Sequence, residues 1–559
     1  MESINRRELI ATLLGVSAAS ISGCSKSPND KIRGELLGPD IHSGHRLREP
    51  SESIGSIDQW KEVPVVIVGG GIAGLAAAWR LKRQGFDDFE LLELENNLGG
   101  TSRSDACGAL HYPWGAHYIT TPLSTNKDLI ALLVEMGVVE RVEPDGRPIV
   151  GEEFLCREPE ERIFVEGQWY EGLFPQAIAK QVDLDQFAAF NEQMRYWANA
   201  RDGVGKRFFD LPIANCSMDT QLEELDQISM LEWLGQHGWD SPILKWFVDY
   251  ACRDDYGLSI DQTSAWAGIL YFAARLDAKD RSTQDVITWP AGNGQIVQYL
   301  GQQVAQHVRY RCLVTRIQPS DHPGPDANGE LVAFDVDRRK WLGYRAKRIL
   351  WAGPQFVASR VIDRFRTNSR FPSDAFKYSW WIVANVHLRD RPEESGAALC
   401  WDNVFYESRS LGYVVSTHQS GVDHGPCVWT WYYPFADHPP KYSREQLLSI
   451  QWSDWVELVL TDLQRAHPKI RELVTKIDII RWGHAMIQPY PGFIWGPARR
   501  EAIQPDRNVH FANTDLSGIA LMEEAFYHGL RAADEILSIL GIRHQETVDL
   551  TTKKQNFPA

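Results

Sequence analysis

Val65–Gly100 reads VVIVGGGIAGLAAAWRLKRQGFDDFELLELENNLGG. A β-branched run feeds into Gly69-x-Gly71-x-x-Gly74, an apolar helix follows, and a second strand ends at Glu93. This order is the dinucleotide-binding fingerprint. Gly69 permits the tight turn, Gly71 lets the backbone approach a pyrophosphate, and Gly74 lets the helix pack closely on the strand. The free N–H groups at the helix start, at Ile72 and Ala73, point at the phosphates. Glu93 follows Gly74 by 19 residues and stands at a strand end, where a carboxylate accepts from ribose hydroxyls. One glycine triplet alone carries little. Strand, helix, strand and acid in this order predict a bound dinucleotide.

The residues after Glu93 choose among dinucleotides. Leu94–Gly100 reads LENNLGG. It resembles the flavoprotein group that holds the monoamine oxidases, protoporphyrinogen oxidase and the carotene desaturases. In that group an acid is followed six residues later by Gly-Gly and then usually Arg. Gly99 and Gly100 match; Thr101 stands in place of the Arg, with Arg103 two residues on. Trp114-Gly115-Ala116-His117 resembles a further segment of the group, in which Gly-Ala lies near the flavin. The resemblance implies FAD rather than NAD. It also implies a monoamine-oxidase-like α/β fold, with a Rossmann-type FAD-binding domain assembled from discontinuous segments and an inserted α+β substrate domain.

The far end of the chain matches independently. Val509–Gly518 (VHFANTDLSG) precedes Glu523–Ala533 (EEAFYHGLRAA). The group has a short strand here, an acid-bearing loop on the ribityl-phosphate side of FAD, and a helix starting near the pyrimidine end of the flavin. Asp515 and Glu523 fall at those places, and Asn513 stands where Gly is commoner. A helix N-terminus stabilises negative charge developing on a reduced flavin; the other reading of Ala525–Ala533 is a small-residue packing helix. Between the two ends, Trp289–Gly294 precedes a helical pattern running from Gln295 through Val304. Tyr310–Ile317, Leu331–Val336 and Arg348–Pro354 read as strands, the last re-entering the FAD domain. The resemblance places Val314 over the adenine.

The expected organisation is a signal peptide at 1–23, a linker or arm at 24–60, an FAD-binding domain from 61–150, 288–360 and 481–545, a substrate domain from 151–287 and 361–480, and a tail at 546–559. In the first insertion, Leu222–Gly238 and Ser241–Tyr250 carry Leu, Trp and Phe at helical spacing. In the second, Leu411–Ser416 and Cys427–Tyr433 read as strands. Trp429, Trp431 and Tyr433 then share one face. That face is either sheet core or an aromatic slot beside the flavin, able to cradle an amine through cation–π contact. Arg253 lies in Cys252–Gly257 beside Asp254 and Asp255; this knot, like Arg275, is a structural ion pair or faces substrate. Arg481–Gly492 resembles the segment that passes the flavin on its return to the FAD domain. It offers His484, which could titrate near neutral pH and act as a base, and Tyr490. His484, Tyr490, Trp431 and Arg253 are thus the candidate catalytic residues. Some relatives bond the flavin through a cysteine near here; none follows Cys427, so non-covalent FAD is expected. Many amine oxidases of the group place a lysine near flavin N5. Lys245 is available, but nothing ties it to the flavin.

Three functions stay open. The first is an FAD-dependent oxidoreductase that oxidises a C–N or C–C bond of a small molecule by hydride transfer to N5, passing electrons to O₂, a quinone or another acceptor. The second is a flavin-dependent isomerase or desaturase-like enzyme acting on a polyene or other apolar substrate. The third is a non-enzymatic, FAD-stabilised scaffold at a membrane.

The front of the chain speaks to location. Arg6-Arg7 precedes the apolar run Ala11–Ile21 and then Ser22-Gly23-Cys24. The two arginines resemble a twin-arginine export signal, and Ile21–Cys24 resembles the lipobox of bacterial lipoproteins. Together they predict an exported protein anchored to the membrane by a lipidated Cys24, on the periplasmic or cell-surface side. The apolar run is too short to span a bilayer. The other seven cysteines are scattered, with no CxxC and no metal-ligand spacing, so mostly buried free thiols and no metal are expected. A net charge of −16 argues against nucleic acid as a partner.

Overall fold

The computed structural model describes residues 32–48, 55–57, 60–276, 285–322, 324, 327–367, 372–436 and 448–542. The export signal, the lipobox with Cys24 and the 546–559 tail lie outside the described residues. No helix among those described is long and apolar enough to cross a membrane.

Two sheets face each other across a cleft. The first has seven strands. Trp60–Val68 runs parallel to Phe89–Leu92, with Val65 opposite Phe89, and on its other side parallel to Lys340–Trp351, with Val68 opposite Trp351. Val308–Arg309 joins one edge in parallel, and Val509–Phe511 runs beside the end of Lys340–Trp351. Cys312–Gln318 and Gly329–Asp335 complete the sheet as an antiparallel ladder. Val65, Ile67 and Leu91 turn one face toward the helices Ile72–Arg83, Gly294–Val304 and Met522–Ile539. Close approach explains the small residues here. A Cβ on Gly74 would stand 1.9 Å from the Gly69 carbonyl oxygen, and one on Gly529 would stand 2.3 Å from that of Ala73. The helix at 525–533 is therefore a packing helix along its length as well as a cleft element at its start.

The second sheet has eight strands. Tyr378–Leu388 is central, antiparallel to Val474–Ile487 and to Cys427–Pro434. Tyr413–Val415, Asp402–Phe405 and the hairpin Glu161–Val165/Gln168–Glu171 extend it. One face carries Trp429, Trp431 and Tyr433 and is covered by the helix Trp452–Leu463; the other carries Trp381, Val383 and Tyr432 and turns toward the cleft. Five helices within 181–273 close one end.

Two expected boundaries change. Val474–Ile487 is one unbroken strand of the second sheet, so no division falls at 480/481. Of the two readings of 24–60, residues 32–48 take that of an arm along the body: Leu36–Leu37 pairs in parallel with Ile479–Ile480. Trp60 already belongs to the first sheet. All seven described cysteines are free thiols; six are buried and Cys107 is exposed.

Candidate active site

The cleft between the sheets has a volume of about 930 Å³. Its first end is built by the turn out of Trp60–Val68. Gly69 adopts φ 107°, in the left-handed region that only glycine enters freely. A Cβ at Gly71 would meet nothing within 4 Å, so the backbone lies open to the cleft. The helix that starts at Ile72 has no side-chain cap on Gly71, yet Ile72 and Ala73 are buried. An uncapped, buried helix N-terminus presents its first N–H groups to whatever fills the cleft. Glu93 closes this end. Its Oε2 accepts the Gly70 N–H at 2.6 Å and its Oε1 the Glu95 N–H at 2.8 Å. Burial raises its proton affinity; these two amides oppose that, and the net direction is upward.

The middle and far walls come from distant segments. Asp515 accepts the Gln355 N–H at 2.8 Å and the Tyr378 hydroxyl, and burial pushes it up to about 6. Asn293 is buried on the cleft wall, and its side-chain oxygen has no hydrogen-bond partner among the described residues. The helix Met522–Ile539 also begins without a side-chain cap, and Glu523 in its first turn lines the cleft.

The deep end is charged inside an aromatic frame. Arg275 gives Nη2 to both oxygens of Asp255, at 2.9 and 2.8 Å. Asp254 and Glu523 accept no hydrogen bond from another described residue, although Glu523 is only 7% exposed. Burial pushes Glu523 up to about 6 despite Arg275. Burial and then the neighbouring Asp255 carboxylate hold Asp254 well above the usual carboxylate range. His117 sits among Tyr118, Trp401 and Tyr432, each at a ring distance of 5.1 Å, and burial pushes it down to about 4. The imidazole is therefore neutral. Tyr432 donates its hydroxyl to the Gly115 carbonyl at 2.9 Å, tying the second sheet to the Gly115–His117 segment.

Most expected cofactor residues meet here. Gly69, Gly71, Ile72, Ala73, Glu93, Gly99, Gly100, Thr101, Gly115, Ala116, His117, Val314, Asp515 and Glu523 all line the cleft. Gly74 lies behind it, in the packing role assigned to it. Arg103 and Trp114 do not line it. Arg103 lies over the Trp482 ring at 5.0 Å, and Trp114 is buried, its carbonyl accepting Trp482 Nε1 at 2.7 Å.

The candidate catalytic residues divide. His484 lines the cleft, stacked on Phe356 at 4.0 Å. Tyr490 does not: its hydroxyl donates to the Ala375 carbonyl at 2.9 Å and its ring stacks on Phe493. Trp431 is wholly buried on the far face of its sheet, with Nε1 donating to Asp462 at 2.8 Å. The strand was expected; the face toward the cleft carries Tyr432 instead. Arg253 pairs with Asp249 at 2.8 Å and with the Arg409 carbonyl at 2.9 Å, outside the cleft. The ion pair inside the cleft is Arg275–Asp255. No lysine lines the cleft among the described residues, Lys245 included, and no group of side chains among those residues could hold a metal ion. Sequence reasoning missed Tyr378, Asn293 and Asp40 as lining residues. Asn293 had a signal in Trp289–Gly294, the loop entering a helix.

Residues 72–537 match the family described as flavin containing amine oxidoreductase. AofH of Mycobacterium tuberculosis, assigned by name to the flavin-containing monoamine oxidases, is 26% identical over 263 residues, covering 46% of this chain and 51% of that protein. The chain thus spans about half the length of this curated relative. Oxidoreductase PigB of Serratia sp. is 21% identical over 547 residues, covering 87% of this chain and 77% of that protein. A structure of wild-type putrescine oxidase bound to putrescine superposes with a TM-score of 0.62 at 16% identity, covering 86% of this chain and 100% of the other. That likeness bears on the fold: a Rossmann-type FAD-binding α/β domain with an inserted substrate domain.

Proposed function

The chain belongs to the flavin containing amine oxidoreductase family, and on that premise we propose that it oxidises a small cationic amine with non-covalent FAD as cofactor. When bound, FAD supplies the hydride acceptor, its N5. Glu93 would take the adenosine ribose, the N-terminus at Ile72 the pyrophosphate, and Val314 the adenine. Asp515 would face the ribityl side, and the start of Met522–Ile539 the pyrimidine. Cys312 lines the cleft beside Glu93, at the adenosine end. A thiol there is remote from the flavin ring, which supports a non-covalent cofactor.

The observation that carries the substrate reading is the deep end of the cleft. Asp254 and Glu523 accept no hydrogen bond from another described residue; Arg275 gives Nη2 to both oxygens of Asp255, and its buried Nη1 has no partner among the described residues. Buried charges of this kind call for a cation. The aromatic rings of Tyr118, Trp381 and Tyr432 suit one too. Neutral His117 adds no repulsion. A carboxylate of raised proton affinity such as Asp254 holds the ammonium and takes its proton, leaving the neutral amine that oxidation requires. An apolar polyene would leave both carboxylates desolvated and unmet, so the isomerase reading has no comparable support. The electron acceptor is O₂, a quinone or another oxidant.

The test is anaerobic mixing of the FAD-loaded protein with amines, polyenes and porphyrinogens. Bleaching of the flavin by an amine is expected. Bleaching by polyenes or porphyrinogens with none by amines refutes the assignment.

We further propose export by the twin-arginine route and anchoring through a lipidated Cys24, on the motif Arg6-Arg7 … Ile21–Cys24. A diacylglyceryl group brings two chains, enough for stable attachment. Cys24→Ala should release the protein from the membrane fraction. An intact Met1 in protein from its native host would refute the processing.

A further inference from the structure

We propose that residues 32–48 form a clasp over the adenosine end of the cofactor cleft and set how fast FAD enters and leaves. The arm starts on one sheet and ends on the other. At its start, the Arg33 and Glu35 carbonyls accept from the Ile477 and Ile479 N–H groups at 2.8 and 2.9 Å, adding an edge strand to the second sheet. The chain then crosses the mouth of the cleft, which Leu37, Asp40, Ile41 and Leu47 line together with Glu93 and Val314.

The far fastening is on the loop that carries the ribose acid. The Asp40 N–H donates to Glu95 Oε1 at 2.8 Å. The Asp40 carboxylate accepts Arg311 Nη1 at 2.8 Å and is held in place by the Ser43 N–H and hydroxyl, at 2.9 and 2.7 Å. Ser43 itself is buried. Arg311 Nη1 also reaches the Leu94 carbonyl at 3.4 Å. Further along, the Arg46 guanidinium lies 4.0 Å over the Phe334 ring. Glu95 is thus braced directly, and Leu94 through Arg311, by a segment that precedes the residues matching the family.

A strap anchored to both walls of a cleft blocks the path of a long ligand in both directions. Opening it requires the Asp40–Arg311 pair, the Asp40–Glu95 bond and the Arg46–Phe334 contact to part, while its strand end can stay paired. This separates a clasp from an ordinary contact. Weakening a contact speeds release only. Weakening a clasp speeds release and uptake together, so affinity changes less than either rate.

The inference rests on the cofactor reading and not on the substrate. The test uses the FAD-loaded protein, chased with an excess of a spectrally distinct FAD analogue, and FAD uptake by the stripped protein. Losing a charge-assisted bond of this kind amounts to about tenfold in a rate. Asp40→Ala should therefore speed both release and uptake by about tenfold, with the Kd moving by less than about threefold. Asp40→Asn, which keeps an acceptor for Ser43, should fall between. Arg46→Ala loosens the other fastening and should shift both rates the same way if Asp40→Ala does not fold. Rates unchanged in Asp40→Ala, or release accelerated without uptake, overturn the clasp and leave the cofactor reading intact. A wild-type protein that binds no FAD overturns both.

Discussion

Replacing Glu93 by Ala tests the cofactor end of the cleft most directly. The carboxylate already accepts one amide on each oxygen, from Gly70 at 2.6 Å and Glu95 at 2.8 Å. A carboxylate has about four acceptor positions, so both oxygens keep capacity for ribose hydroxyls. A hydrogen bond to a charged group is worth roughly 1.5–3 kcal/mol. Its loss corresponds to a Kd roughly 10- to 150-fold weaker. The alanine variant also leaves two loop amides without their acceptor, which places the expected result in the upper part of that range. Glu93→Gln retains one acceptor oxygen and no charge, and should fall between wild type and Ala. The assay is titration of the stripped protein with FAD, followed by quenching of flavin fluorescence. Because burial raises the proton affinity of Glu93, wild-type affinity should weaken as pH falls through its titration, and the Ala variant should lose that dependence. A Kd for Glu93→Ala within about threefold of wild type would refute the ribose role. If Glu95→Ala then carried the loss, the wrong acid would have been assigned.

Asp254→Asn should raise KM for the amine substrate by roughly tenfold or more and also lower kcat at neutral pH, with kcat recovering as pH rises and the amine loses its proton to solvent; steady-state kinetics against pH would show it, and an unchanged KM would remove the ammonium anchor. Glu523→Gln should be stabilising in the stripped protein at high pH. The folded value lies above the ordinary 4.5, at about 6. The wild-type carboxyl therefore contributes stability below about 4.5 that is lost as pH rises through about 6, amounting to roughly 2 kcal/mol at pH 8. Urea unfolding should show the variant ahead by about that amount at pH 8 and level with wild type near pH 4; equal curves at both would be incompatible. Gly74→Ala should cost roughly 1–3 kcal/mol of stability, since the added Cβ meets the Gly69 carbonyl, and should weaken FAD binding with it. Denaturation should release FAD intact; flavin absorbance remaining with the unfolded chain would reveal a covalent link.

The cofactor end of the site was legible because its requirements are local. A tight turn, an open backbone and an acid at a strand end each demand one residue type at one spacing, so Gly69–Gly74 and Glu93 could be named from order alone. Gly99–Thr101, Gly115–His117, Val314, Asp515 and Glu523 came through family resemblance, and all of them line one cleft although they are spread along the chain. The missing family arginine at position 101 drew attention to Arg103, but spacing cannot show that its guanidinium lies over the Trp482 ring and does not itself line the cleft.

The substrate end was not legible, for two physical reasons. Strand alternation gives the contents of each face and not the face that points inward. Trp429, Trp431 and Tyr433 do share a face, yet the helix Trp452–Leu463 covers it, and the intervening Tyr432 meets the cleft. Choosing the bulkier face put Trp431 in the site when its bulk was what the sheet core needed. The charged knot failed differently. Arg253, Asp254 and Asp255 are neighbours in sequence, but successive residues on a helix point in different directions. Along Pro242–Tyr256, Arg253 turns back one turn to Asp249, while Asp254 and Asp255 face the cleft. The guanidinium that meets Asp255 comes from Arg275, beyond the next helix. One carboxylate of the adjacent pair is thereby neutralised and the other is left for a ligand. That division between Asp255 and Asp254 depends on where a second helix ends, and it is the division on which the choice of a cationic substrate rests.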